Sequence, residues 1–214
     1  MESLPAIRLA RHRAIVAVDI ECSTSRPDPV KAEFRVMLYE LFDAALRSAD
    51  ICPRHRDQFM DRGDGLLALI HRADRALEAL LVCQVIPVFS RYLASYNASL
   101  PPQRQLRVRV VVHHGEVHYD ANGCFGEALD IAFRLLDAPR VKMALKAAPG
   151  PLLLVISGDI YRSVIQHDHD GTSQAAFHRL LSADIAGKQY PGWIHIPHNP
   201  PNTAWPAAPE RHNW

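Results

Sequence analysis

The chain has almost no excess charge of either sign. Its 24 Lys and Arg stand against 23 Asp and Glu, for a formal charge of +1. That argues against a general electrostatic nucleic-acid binder, which needs a basic excess or stripe. Long hydrophobic runs are missing as well. The longest, at residues 15–18 and 152–156, are strand-length and fall short of the roughly 20 residues that span a bilayer. The opening stretch MESLPAIRLARHRAIVAVD lacks the apolar region and cleavage site of a signal peptide. No membrane association and a cytoplasmic location are therefore expected. Cysteine is scarce. Cys22, Cys52, Cys83 and Cys124 show no CxxC spacing, which fits a reducing compartment better than a disulfide framework or a zinc knuckle. There is no P-loop, no GxGxxG, no nucleophile-elbow motif and no internal repeat.

What is present is an ordinary globular composition, 48% hydrophobic and 22% charged over 214 residues. A chain of this length buries about 70% of the surface that its unfolded form exposes, and needs no disulfide or metal for bulk stability. Residues 12–21 read as a buried strand ending in acids. A polar loop at 22–29 follows, then an amphipathic helix over 30–49. Residues 51–71 read as two strands around the turn Arg62-Gly63-Asp64-Gly65. A long helix over 73–100 should be disturbed at Pro87, which removes one backbone donor. Residues 106–112 alternate Arg with aliphatics as a strand, and 113–120 continue it toward Asn122-Gly123.

Helices are expected at 126–136, 140–148 and 159–167, and strands at 152–157, 177–185 and 192–197. Residues 197–214 carry five prolines and little pattern, so a domain at 1–196 with a Pro-rich tail at 197–214 is expected. The order β-α-β-β-α-β plus an α/β extension gives an α+β fold with a ferredoxin-like βαββαβ core. Its antiparallel sheet should carry helices on one face. The other face must meet something, often a second copy.

Three segments, in this order, carry a family resemblance: AVDIECST at 17–24, DRGDGLLALI at 61–70, and VRVVVHHGEVHYDANGCFGEALDIAFRLLDAP at 108–139. Together they resemble the catalytic domain of class III nucleotidyl cyclases, the adenylate and guanylate cyclases, over residues 12–196. The family pattern is a strand ending in an acid, a hairpin holding Gly-Asp, a strand reading R-x-G-x-x-x-G and a helix reading G-x-x-V-N-x-A-x-R.

The resemblance implies a reaction and roles. A ribose 3′-oxygen attacks the α-phosphorus of a nucleoside triphosphate and expels pyrophosphate. Metal ions align and neutralise the phosphates. Asp19 and Asp64, with the carbonyl of Ile20, would hold Mg²⁺ or Mn²⁺, hard ions that prefer oxygen ligands. An Asp between Val18 and Ile20 at the end of a buried strand is costly without a partner, whereas Asp64 alone reads as an ordinary turn residue. The loop holding Ser23 and Thr24 would offer N–H groups to phosphate. Arg134 would reach across a homodimer to stabilise phosphate charge.

Other positions depart from the pattern. Asp130 stands where the family has a ribose-orienting Asn, and its i, i+4 spacing to Arg134 also suits a local ion pair. Met60 and Gly123 occupy the base-reading positions, and neither offers a purine a side-chain hydrogen bond. Relatives that make cyclic pyrimidine nucleotides depart there too, which leaves a pyrimidine as a candidate base. Lys188 falls near the family's phosphate-binding lysine, and reads equally as a solvated loop residue.

Adjacent His113 and His114 should point to opposite faces of their strand, one to the core and one near an interface. The run His167-Asp168-His169-Asp170 reads as a solvated loop. Glu116 and Asp120 read as exposed hairpin charges. Two expectations stay open. One is a head-to-tail homodimeric cyclase, and the other is a degenerate cyclase-homology domain that binds nucleotide or only dimerises. Asp19, Asp64 and Arg134 favour the first, Asp130, Met60 and Gly123 the second.

Overall fold

The computed structural model describes residues 10–166 and 174–197. The His167–Asp170 run and all of the tail beyond Pro197 lie outside them. Strand β1 (Arg11–Ile20) is buried almost throughout, because it lies between β3 (Gly65–Ile70) and β4 (Val108–Asp120), both antiparallel to it. A strand covered on both faces reads as a continuous apolar run, which is why AIVAV shows no alternation. The two-residue β2 (Met60–Asp61) closes this end of the sheet. The order β2-β3-β1-β4 is that of the expected βαββαβ core. Beyond it, β6 (Leu152–Ser157) runs parallel to β4, and β8 (Lys188–His195) and β7 (His178–Ile185) continue antiparallel. A short β5 (Gly123–Phe125) folds back on β4.

Helix α1 (Asp28–Arg47) turns Phe34, Leu38, Leu41 and Phe42 onto the sheet face that carries Val16, Val18 and Val110. The helix α2 (Arg75–Leu80) begins at Asp74, whose carboxylate accepts the Leu77 N–H at 2.9 Å. It passes through a π turn (Leu81–Val85) into α3 (Ile86–Asn97). The disturbance expected at Pro87 is this wider turn, placed where the proline ring and its missing donor would break an α-helical ladder. As a unit, Arg75–Asn97 is long and apolar enough to cross a membrane. Its Leu81, Val85, Ile86, Phe89 and Leu93 are nonetheless spent on the core, and Phe89 meets Phe42 edge-on at 5.2 Å.

Helices on one face hold for the βαββαβ core only. The extension sets α4 (Glu127–Leu136) and α5 (Pro139–Ala147) on the opposite face, over Ile15, Ala17, Val111, Leu153 and Val155. Much of the face left for a partner is thus covered from within, since an apolar sheet face of this width has to be buried.

Some boundaries moved. The first half of the expected hairpin is a 3₁₀ turn (Pro53–His55) and a short strand, because Pro53 removes a ladder donor and its fixed φ suits the first position of a helical turn. The last helix is only α6 (Gly158–Ile160) with a π turn (Tyr161–Ile165). β8 starts four residues earlier than glycine and proline suggest, with Gly192 and Pro191 paired inside the sheet.

Candidate active site

The tip of the β2–β3 hairpin is fixed by its own side chains. Asp61 accepts the Gly63 N–H at 2.8 Å and forms a two-pronged ion pair with Arg35 of α1. Those bonds, the Arg35 guanidinium first, hold the Asp61 carboxyl down at about 2. Asp64 follows. Its carbonyl accepts the Ile20 N–H at 3.0 Å, and its carboxylate accepts the Ser23 hydroxyl proton. Gly65 pairs with Asp19 across the ladder, and a Cβ there would lie 2.1 Å from the Val18 carbonyl oxygen. Only glycine allows β3 to approach β1 this closely, and the approach brings Asp64 beside Asp19.

Both carboxylates line one cavity of about 180 Å³. Asp19 faces Arg109, its ladder neighbour on β4, as an ion pair with both side chains largely buried. Asp19 Oδ2 meets the guanidinium, while Arg109 Nε is buried without a hydrogen-bond partner among the described residues. Burial also holds the Arg109 guanidinium below its ordinary value, with Asp137 pulling the other way. An ionised carboxylate accepts at about four lone-pair sites, so this one contact leaves Asp19 capacity for a cation.

This donor set fits a divalent cation. Two carboxylates and the carbonyl of Ile20 are hard oxygen ligands, and substrate oxygens or water would complete the shell. Among the described residues no group of three or more His, Cys, Asp or Glu side chains is placed to hold a metal by itself.

The loop after β1 borders the same place. Cys22 adopts a left-handed backbone (φ 55°) and starts a 3₁₀ turn (Ser23–Ser25). The N–H groups of Cys22, Ser23 and Thr24 donate to no acceptor among the described residues. Ser23, Thr24 and Asp64 line a cavity of about 350 Å³ on the α1 side, together with Arg26, Arg35 and Arg62. They line a second of about 310 Å³ on the α5 side, with Arg109, Lys142 and Lys146.

The remaining candidate residues lie elsewhere. Asp130 and Arg134 are both exposed on α4 and form no ion pair with each other or with another described residue, so the local pair suggested by their spacing is not made. Neither lines the cavity of the two acids, although Phe133 does, with the Arg62 guanidinium 3.5 Å above its ring. Met60 lies against Cys124, sulfur to sulfur at 3.4 Å, which brings it close to Gly123, the other position expected to face the base. Lys188 is exposed at the start of β8, its ammonium 4.8 Å from the Tyr190 ring, and it lines none of these cavities.

Of the two adjacent histidines, His113 is buried and His114 half-buried. His113 meets the Ser157 hydroxyl at 2.8 Å, and His114 pairs with the buried Glu78. Reasoning from sequence missed Arg109, Arg62, Lys142 and Lys146. Arg109 had a signal: an arginine inside an apolar strand requires a buried partner. The others needed the tertiary fold.

No protein-family model matches the chain, and no curated protein matches it either. Solved structures do. An adenylate/guanylate cyclase/hydrolase from Silicibacter pomeroyi is 17% identical with a TM-score of 0.61, over 89% of this chain and 99% of that one. The guanylyl cyclase Cya2 is 15% identical with a TM-score of 0.57, over 87% and 91%. The adenylyl cyclase CyaB from P. aeruginosa is 10% identical with a TM-score of 0.56, over 90% and 98%. At such identities the likeness is one of fold, and the fold is that of adenylate and guanylate cyclase domains.

Proposed function

We propose that the chain is a divergent class III nucleotide cyclase, converting a nucleoside triphosphate to a 3′,5′-cyclic nucleotide and pyrophosphate as a head-to-tail homodimer. The observation that carries this reading is the convergence of Asp19 and Asp64 on one cavity beside a loop with free N–H groups. Bound there, Mg²⁺ or Mn²⁺ would neutralise phosphate charge and lower the barrier to attack by the 3′-oxygen. The chain's own groups then have defined tasks. Asp19, Asp64 and the Ile20 carbonyl would hold the ions. Ser23 and Thr24 would orient the phosphates through their N–H groups. Arg134, exposed and unpaired, would stabilise the transition-state charge in the partner's site. Asp130 would orient the ribose by accepting a hydroxyl proton, and Lys188 would contact phosphate. Met60 and Cys124 beside Gly123 would offer the base an apolar, weakly polar edge, which suits a pyrimidine no worse than a purine.

The test incubates the protein with each of the four ribonucleoside triphosphates and Mn²⁺, and assays cyclic product and pyrophosphate. Product from one of them is expected, and Asp64→Asn should reduce it by at least about a hundredfold, since a charged ligand to the metal is lost. Turnover unchanged in Asp64→Asn would refute the ligand assignment.

One observation favours a second reading. The Arg109 guanidinium already neutralises Asp19. A degenerate domain that binds nucleotide or only dimerises would retain such a pair. It predicts no cyclic product from any ribonucleotide at high protein concentration.

A further inference from the structure

We propose that Lys142 and Lys146 of α5 bind the phosphates of the nucleotide in the same chain as Asp19 and Asp64. The assignment rests on the cyclase reading and adds to it a phosphate clamp that needs no partner subunit. Helix α5 is anchored by Val141 and Leu145, both buried under the sheet. One helical turn separates Lys142 from Lys146, so both ammonium groups leave the same face. That face borders the 310 Å³ cavity whose far wall is the loop Cys22–Thr24, with its unused N–H groups, and Asp64.

The two lysines are the least engaged charges bordering the cavity. Glu21 is taken by Arg107, Nε to Oε2 at 3.0 Å. Lys142 has only a loose contact with Asp137 at 3.5 Å between half-exposed side chains. Lys146 has no ion pair among the described residues. Behind them Arg109, ion-paired to Asp19 and with its side chain 9% exposed, lines the same cavity. Two lysines and the N–H groups of Cys22, Ser23 and Thr24, which meet no acceptor among the described residues, face one space and call for an anion of several oxygens. A chain of phosphates meets that need, with two flexible lysines as point charges along it and the metal carboxylates at its edge.

The experiment measures binding of inorganic tripolyphosphate with Mg²⁺ by calorimetry, and nucleotide turnover separately. Replacing both residues, Lys142→Ala with Lys146→Ala, should weaken tripolyphosphate binding about a hundredfold, about tenfold for each charge-assisted contact. Lys142→Arg with Lys146→Arg should stay within a few-fold of the parent. For the nucleotide turned over, the alanine pair should raise KM while kcat holds within a few-fold. The thermal midpoint should not move, because both lysines are exposed, so misfolding is separable. Equal affinity of the parent and the alanine pair would overturn the lysine assignment. So would a parent that binds no tripolyphosphate. In either case the cyclic-product assay still judges the enzyme reading on its own.

Discussion

His113 is 2% exposed, and burial pushes its imidazole from 6.5 down to about 4, with His114 adding to the effect. Between those values the unfolded chain binds the proton and the folded one does not. Stability contributed by this group is full above pH 6.5 and is lost as pH falls toward 4. The loss comes to about 3 kcal/mol, at about 1.4 kcal/mol per pH unit. His114 acts in the opposite sense. Its hydrogen bond to Glu78 raises it above 6.5, so its contribution is complete below that pH and fades as pH rises through the raised value. Glu78 adds to the loss at lower pH: burial would raise it, yet bonds from His114 and Ser163 hold it below 4.5, so its contribution is complete above 4.5 and is lost as pH falls through the lowered value. We expect the thermal midpoint to fall between pH 6.5 and 4, and His113→Gln to flatten that slope. Parallel slopes for the two proteins would place the titration elsewhere.

At the scale of elements, the β1–β3 ladder decides where the acids stand. Gly65→Ala puts a methyl group against the Val18 backbone, which cannot retreat without unpairing the strands. We expect a loss of at least about 2 kcal/mol and a thermal midpoint lower by about 4–8 °C, measured by scanning calorimetry. Cyclic-product formation should fall further than folding does, because Asp64 moves with the strand. Much of this level was legible beforehand. The apolar runs of β1, β3 and β6 and the helical spacing of Phe34, Leu38 and Leu41 follow from burial periodicity, which acts locally. Glycine around Asp64 marked the turn. Pro87 marked the first π turn as a disturbance but not its form, and the second, at Tyr161–Ile165, had no such signal. Nor was the early start of β8 legible, because Pro191 is held in the ladder by β7 and Gly192 by strands on both sides. Asp19 with Asp64 was legible as a pair only through the family resemblance. Arg109 beside Asp19 follows from a strand register that no single segment specifies.

At the scale of the molecule, the exposed pair Asp130 and Arg134 and the cavity of the acids are separate places on one chain. A shared site makes a sharp prediction. Asp64→Asn and Arg134→Ala should each be inactive alone, and an equal mixture should recover about a quarter of the parent's activity, since half the dimers hold one intact site. An inactive mixture with demonstrated subunit exchange would show that Arg134 does not act across an interface.

The sequence by itself determined the strand and helix order, the two acids at strand and hairpin ends, and the α+β class, because hydrophobic period and turn chemistry are properties of short segments. The tertiary structure alone decided that α4 and α5 cover the second sheet face, that Arg109 meets Asp19, and that two lysines of α5 look onto the loop after β1. Those facts depend on which strands become neighbours, and that choice is made by burying the whole apolar surface at once.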